Sequence, residues 1–323
     1  MKNYKEPSTE NWKGRTSNDA LYLHEVMQCV PFNENFKPKG KSIALLGYAC
    51  HEGVKRNQGR IGAKDGPNAI RERLGKMPNH LPDGVKLYDL GNITCQKRDM
   101  EAAQQSLAKM VSSVLQQKQF PIVLGGGHDM AYGHFHGIKS YLGSMQKYPK
   151  IGIINFDAHF DLRQNEIGNH SGTPFYQIAK ECEAKNEIFH YLCMGVRKDA
   201  NDRLLFQTAK DLNVTYVLSD TFRIQFLEEI NTWIHAFAKS VDHIYVTIDL
   251  DGFSSAYAPG VSASSPMGFT PQIVLECLKT IVSTGKMISL DIAEMNPKYD
   301  IDGMTAKLAA SLIHHFIHSI YET

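Results

Sequence analysis

No apolar stretch in this 323-residue chain is long enough to span a bilayer. The opening MKNYKEPSTENWKGR lacks the apolar core of a secretory leader. Charge of neither sign is in excess: 35 Lys and Arg stand against 34 Asp and Glu, a formal net charge of +1. Nothing in that balance suggests a groove for nucleic acid or a patch for a membrane surface. The six cysteines, at positions 29, 50, 95, 182, 193 and 277, include no CxxC pair. Cysteine-ligated zinc therefore has no spacing to support it. Thiols so dispersed in a chain of this length read as reduced and mostly buried, in a cytoplasmic protein. Internal repeats and low-complexity linkers are also missing. The chain reads as one domain over residues 41–323, preceded by a loose polar arm over residues 1–40 that holds a short helix around Asn18 to Cys29.

What is present is an ordinary globular balance, 42% apolar and 21% charged, arranged with a clear rhythm. Eight short apolar runs fall at 42–49 (SIALLGYA), 85–91, 120–127, 150–159, 187–196, 213–219, 243–251 and 287–294 (MISLDIAE). Amphipathic stretches lie between and after them, among them 100–117, 270–285 and 304–320. GPNAIRERL places Pro67 near a first helical position, with Asp65 before it as a candidate cap. Near-continuous apolar strands alternating with helices predict a parallel sheet covered on both faces. Ligands of such sheets gather beyond the carboxyl ends of the strands.

Four strand ends carry groups that a bland core does not need. The third run ends in GGGHD (125–129), the fourth in DAHFD (157–161), the seventh in DLDGF (249–253) and the eighth in DIAEMNP (291–297). Taken singly, each has an ordinary reading. DAHFD serves as capping aspartates with an incidental histidine, and DLDGF as turn chemistry. GGGHD makes a tight turn or a phosphate cradle, though it lacks the GKS/GKT ending of a P-loop. Taken together, they bring His128, Asp157, His159, Asp161, Asp249 and Asp251 to one sheet edge. Asp157, His159 and Asp161 sit at alternate positions, which in an extended chain face the same way. Two imidazoles and four carboxylates form a mixed N/O set suited to a pair of divalent ions, with manganese a good candidate.

GGGHD, NFDAHFD, TIDLDGFSSAYAPGVSA and LDIAEMNP resemble the three ligand motifs and the substrate-binding motif of the ureohydrolase family of arginases, agmatinases and formiminoglutamases. The resemblance runs from about the first strand to the last helix. It implies a three-layer α/β/α fold with an eight-stranded, mostly parallel sheet, two Mn2+ per chain and assembly into a homo-oligomer. It further implies that His128 and Asp161 hold one ion, that His159 and Asp251 hold the other, and that Asp157 and Asp249 bridge them. Glu294 then receives the planar amidine or guanidine group, and His170, in NHSGTPF, stands near the family's proton-shuttling histidine.

Within the family the chain is most similar to the formiminoglutamases, through GVKRNQGRIGAKDGPNAIR, the LR that follows DAHFD, and HSGTPF. This implies hydrolysis of N-formimino-L-glutamate to L-glutamate and formamide, in histidine breakdown. A hydroxide bridging the two ions attacks, with Asp161 orienting it and accepting its proton. The substrate is a small dicarboxylate. Arg163, two residues past Asp161, has the charge and fork geometry to meet a carboxylate, and Arg60 and Arg197 are candidates to join it. The ordinary reading of each arginine is a solvated surface charge. An agmatinase or guanidinobutyrase that releases urea is the alternative within the family. A non-catalytic metal-binding homologue and a mononuclear zinc deacetylase are the readings outside it. His134, His136, His314, His315 and His318 read as packing, surface or interface residues, and Asp291 as a support for a ligand or a strand-end hydrogen bond.

Overall fold

The computed structural model describes residues 2–38 and 40–321. Among them the strands are β1 (Tyr4–Lys5), β2 (Met27–Cys29), β3 (Ser42–Ala49), β4 (Lys86–Thr94), β5 (Phe120–Gly125), β6 (Ile151–Phe156), β7 (His190–Val196), β8 (Thr215–Leu218), β9 (His243–Asp249) and β10 (Met287–Ala293). The helices are α1 (Leu23–Val26), α2 (Glu52–Arg56), α3 (Gly66–Leu74), α4 (Met100–Gln116), α5 (Met130–Gly143), α6 (Pro174–Ala184), α7 (Arg203–Asp211), α8 (Leu227–Ser240), α9 (Pro271–Ser283) and α10 (Met304–Ser319).

One sheet takes all ten strands in the order β1-β4-β3-β5-β10-β9-β6-β7-β8, with β2 also on β4. Every pairing is parallel except β1 with β4. Alternation along the strands separates two cores. Ile43 and Leu45 of β3 pack into the layer that holds Ile70 of α3, Ile234 of α8, Ile273 of α9 and Ile313 of α10. Ala44, Leu46 and Tyr48 pack into the layer of Leu107 from α4, Ile138 from α5, Phe175 from α6 and Leu205 from α7. The result is three layers, α/β/α; each of the eight apolar runs overlaps one of the strands β3 to β10, with β4 running on to Thr94 beyond its run.

The two further strands come from residues before 41. Tyr4 lies beside Ile93 and Met27 beside Leu87, so β1 and β2 share the outer edge of β4. The helix expected around Asn18 to Cys29 is only the single turn α1. Glu25 turns its carboxylate back onto the Ser17 amide and hydroxyl, both at 2.6 Å, and the chain then extends at Met27 to pair with β4. Asp65 precedes α3, but its side chain makes no capping bond. It closes a short turn, Ala63–Asp65, and already has helical backbone angles, unlike the extended backbone usual at a cap.

A buried ion pair fastens this edge. Arg71 of α3 donates from Nη2 to Asp89 Oδ1 at 2.8 Å, and from Nη1 to Asn92 Oδ1 at 2.6 Å. The Trp12 indole donates to Asp89 Oδ2 at 2.8 Å. Both charged side chains are almost fully buried, so removing one strands the other. Asp89→Ala is expected to destabilise the protein by about 3–5 kcal/mol, read as a lower urea midpoint at unchanged m-value.

Candidate functional site

Four adjacent strands, β5, β10, β9 and β6, end at one level: Leu124 is beside Ile292, Ala293 beside Asp249, and Ile248 beside Phe156. Past β5 the chain must lie on the end of β3 to deliver His128. Gly126 donates to Tyr48 O at 2.9 Å and Gly127 to Cys50 O at 3.0 Å. A Cβ on Gly126 would stand 2.2 Å from Cys50 O, so only glycine fits this approach.

The side chains brought together are those expected. His128 Nδ1 lies 2.9 Å from Asp161 Oδ2, 2.9 Å from Asp249 Oδ2 and 3.4 Å from Asp157 Oδ2. His159 Nδ1 lies 3.2 Å from Asp251 Oδ1 and 3.3 Å from Asp157 Oδ1. Two donor sets result, His128–Asp157–Asp161–Asp249 and Asp157–His159–Asp251, with the donor atoms of each within 4.8 Å of one another. Asp157 belongs to both and offers one oxygen to each histidine. The local geometry differs from the extended alternation expected from the sequence. β6 stops at Phe156, and Asp157 Oδ1 accepts the His159 amide at 2.7 Å. Asp161 takes a left-handed backbone with φ +48°. A bend, not a strand, gathers the three.

The donor chemistry fits a divalent pair. His128 Nδ1 is close to three carboxylates yet forms no hydrogen bond with any of them, the arrangement of a lone pair facing anions across a cation's position. Burial lowers the proton affinity of both imidazoles, but the facing carboxylates overcome it and hold His128 and His159 well above the ordinary histidine range. Burial and Asp157 push the Asp161 carboxyl up to about 6, while burial and Asp249 push Asp251 well above its usual range. In Asp157, burial is outweighed by the two histidines and the carboxyl is lowered. Such a cluster is unfavourable without compensating positive charge.

Glu294 follows β10 with φ +66°. Its Oε1 accepts the His128 amide at 2.9 Å, while Oε2 is buried without a hydrogen-bond partner. Burial, with Asp249 and Asp251 nearby, raises its carboxyl well above normal. The cavity in front is about 320 Å³ and is lined by Glu294, the donor residues His128, His159, Asp161, Asp249 and Asp251, and Arg163 and Arg60.

The three arginines part company here. Arg163 is exposed at the pocket wall, with no hydrogen bond or ion pair from its guanidinium among the described residues. Arg60 lines the pocket but is largely committed. Its Nε donates to Ser262 O at 2.9 Å and its Nη2 to Val261 O at 2.5 Å, with the guanidinium 4.2 Å from the Tyr299 ring centroid. Arg197 lies outside the pocket, in a neighbouring cavity of about 570 Å³. There it is bound bidentately by Asp199, at 2.9 Å for both bonds. His170 also stands behind the wall. Its Nδ1 accepts the Gly172 amide at 3.1 Å, and its own amide donates to Thr173 Oγ1 at 3.0 Å, so it organises the turn before α6. Burial and Arg163 lower its proton affinity. Asn57, Gln58, Ser171, Asn201 and Ser262 line the pocket without having been singled out from the sequence. Small polar loop residues carry no signal of their own, although Asn57, Gln58 and Ser171 fall inside GVKRNQGRIG and HSGTPF.

A carboxylate- and imidazole-rich cluster at the strand ends of an α/β/α sandwich defines a class, and the arginase family model matches residues 41–318. The chain belongs to the arginase family. Formimidoylglutamases are among its relatives. That of Clostridium tetani is 41% identical over 98% of this chain and 96% of its own. That of Chromobacterium violaceum is 42% identical over 93% and 95%. The fold is shared with the crystal structure of formimidoylglutamase from Bacillus subtilis, at TM-score 0.83 and 23% identity over 96% of this chain and 95% of that one. It is also shared with Trypanosoma cruzi formiminoglutamase with Mn2+, at TM-score 0.78 and 24% identity over 93% and 98%.

The cluster dictates a pH response. Asp161, Asp251 and Glu294 bind protons more tightly folded than unfolded, as do His128 and His159. Their contribution to stability is therefore present at low pH and lost as pH rises through the folded-state values. Asp157, with its lowered carboxyl, acts oppositely, but only below the ordinary carboxylate range. The melting temperature of chelator-stripped protein is expected to fall further below that of the manganese-loaded protein as pH rises from about 5 to about 8. A gap that stays constant across that window contradicts this electrostatic account.

Proposed function

We propose that this chain is a manganese-dependent formimidoylglutamase that hydrolyses N-formimino-L-glutamate to L-glutamate and formamide, a step of histidine breakdown. One observation carries the reading. A two-set N/O donor cluster and an uncommitted guanidinium share a single pocket, in a chain 41% identical along nearly its whole length to a formimidoylglutamase.

His128, Asp157, Asp161 and Asp249 would hold one manganese, and His159, Asp251 and Asp157 the other, with Asp249 proposed to serve both as the family resemblance implies. The donors are oxygen and imidazole nitrogen without thiolate, which suits manganese. When bound, the pair supplies Lewis-acid polarisation and a water acidic enough to react at neutral pH. The chain's own groups do the rest. Glu294 presents Oε2 to the planar amidinium, satisfying an oxygen that is otherwise buried and unpartnered. Asp161 has one oxygen against His128 and takes the proton released as water oxygen bonds to the formimino carbon. As the bond from that carbon to the glutamate nitrogen breaks, Asp161 returns the proton to that nitrogen, which leaves as the amine of glutamate, and the carbon departs with the water oxygen as formamide. Arg163 meets a carboxylate at the mouth of the pocket. Arg60 keeps only Nη1 for a substrate contact and chiefly ties residues 261–264 to the wall. Asn57 and Ser171, which bond each other at 3.2 Å, offer neutral donors for the second carboxylate in place of Arg197. His170 receives no proton-transfer role, because its contacts are those of a turn.

We assign catalysis to residues 41–323, with 1–40 as an accessory arm, and a homo-oligomeric assembly by family resemblance. We place the protein in the cytoplasm, where the six cysteines, unpaired in the structure, remain thiols.

A charge-assisted contact at Arg163 is worth roughly 1.5–3 kcal/mol, so Arg163→Met is expected to lower kcat/KM for formiminoglutamate by about one to two orders of magnitude while both manganese ions stay bound. The unmodified enzyme is expected to release formamide from formiminoglutamate much faster than urea from agmatine or arginine. Faster urea release from agmatine would move the assignment to a guanidine hydrolase. Glu294→Gln is expected to retain two manganese by elemental analysis and to lose most turnover. Loss of metal in that variant would make Glu294 a ligand instead.

A further inference from the structure

Behind the cluster, between the sheet and α5, five fully buried polar side chains with no part in the reaction above form one connected chain. Thr247 of β9 and Asp291 of β10 are neighbours in register. Thr247 Oγ1 donates to Asp291 Oδ1 at 2.5 Å, and the Tyr245 hydroxyl donates to Oδ2. From α5, His134 reaches Asp291 Oδ2 through Nδ1 at 2.6 Å and Ser289 Oγ through Nε2 at 2.5 Å. The Ser289 hydroxyl in turn donates to Pro121 O at 3.1 Å. Thr247, Tyr245, Asp291, His134 and Ser289 are each 0% exposed.

The other end of this chain is His128, whose Nε2 is 2.9 Å from Thr247 Oγ1. Counting protons fixes the direction of that bond. Thr247 has a single hydroxyl proton, and Asp291 receives it. Thr247 can then only accept from His128, whose proton must reside on Nε2. In the neutral form that binds a metal, the Nδ1 lone pair is left facing Asp157, Asp161 and Asp249. The opposite tautomer would set two acceptors against each other in the core and aim an N–H at the position of the ion. His159 has no such backing: its side chain is 26% exposed, and its Nε2 has no hydrogen-bond partner among the described residues.

We propose that Thr247, Asp291 and His134 act as a positioning relay that holds His128 in the tautomer presenting Nδ1, and thereby sets the manganese affinity of the His128 half of the centre. The proposal rests on His128 being a ligand. Asp291 orients Thr247, and His134 holds Asp291 in place from the helix side. Hydrogen-bond partners behind a ligating histidine commonly govern affinity by 10–100-fold.

The test uses the full chain, stripped of metal and titrated with manganese, with the free ion followed by its EPR signal. Thr247→Val is expected to bind one ion as the unmodified protein does and the second about 10–100-fold more weakly. Thr247→Ser, which keeps the hydroxyl, should restore the second. His134→Gln should weaken the same ion, and serves if the valine variant does not fold. A side chain that merely stabilised the fold would not single out one ion, nor would serine rescue it. His128→Asn separates the two layers of the argument. If it loses an ion while Thr247→Val and His134→Gln both bind two at full affinity, the relay is wrong and the ligand assignment stands. If His128→Asn also binds two at full affinity, the ligand assignment falls and takes the relay with it.

Discussion

Four aspartates, a glutamate and two histidines converge at the ends of four adjacent strands, where water reaches few of them. Three of the five carboxylates are held in place by backbone amides and cannot swing away to relieve repulsion. Asp157 is fixed by the His159 amide and the Asn155 side chain, Asp249 by the Asp251 amide, and Glu294 by the His128 amide. The scaffold enforces the crowding, and crowded anions with orphaned lone pairs are what a cation relieves. The sheet, its glycine-lined crossing beside β3 and the buried network behind His128 all serve to keep that arrangement in place.

Backbone strain is also present at this point. Asp161 and Glu294 both occupy the left-handed region, which costs a residue with a side chain of order 1 kcal/mol or more. Aspartate tolerates it better than glutamate. In each case the strained residue turns its carboxylate into the pocket directly after a strand end or bend. The Glu294 amide is held by Gly126 O at 2.8 Å, so the turn after β10 is locked to the turn after β5. The two turns that carry Glu294 and His128 therefore move as one body.

Much of this was legible beforehand because strands covered on both faces must be apolar at nearly every position, and β3 through β10 stood out as runs. β1 and β2 did not, since two or three residues of mixed polarity on an edge leave no period to detect. The donor residues that the structure brings together were legible by type and place, although the bend that unites Asp157, His159 and Asp161 was not, because a left-handed aspartate has no mark in sequence. The arginines show the limit most clearly. Arg60, Arg163 and Arg197 carry the same charge, and only the partners of each guanidinium separate the free one from the two committed ones. His134 looked like a packing residue, and its role depends on Asp291 and Ser289 lying opposite, which pattern alone does not reveal.

The place of β10 in the sheet has a consequence for the order in which the molecule can be completed. It lies between β5 and β9, so it joins one block of strands made early to another made later, and it is itself the last strand in the chain. Until it inserts, those blocks have no shared edge, and the turns bearing His128 and Asp249 are not held opposite one another. At roughly 5–20 residues per second, a ribosome takes on the order of ten to thirty seconds to travel from His128 to Glu294. Throughout that interval the early block holds His128 without the strand that sets the carboxylates after β6 and β9 opposite it. Ion capture is thereby tied to the end of synthesis, and a chain that stops short of β10 lacks both the seam of the sheet and the means to hold a metal pair.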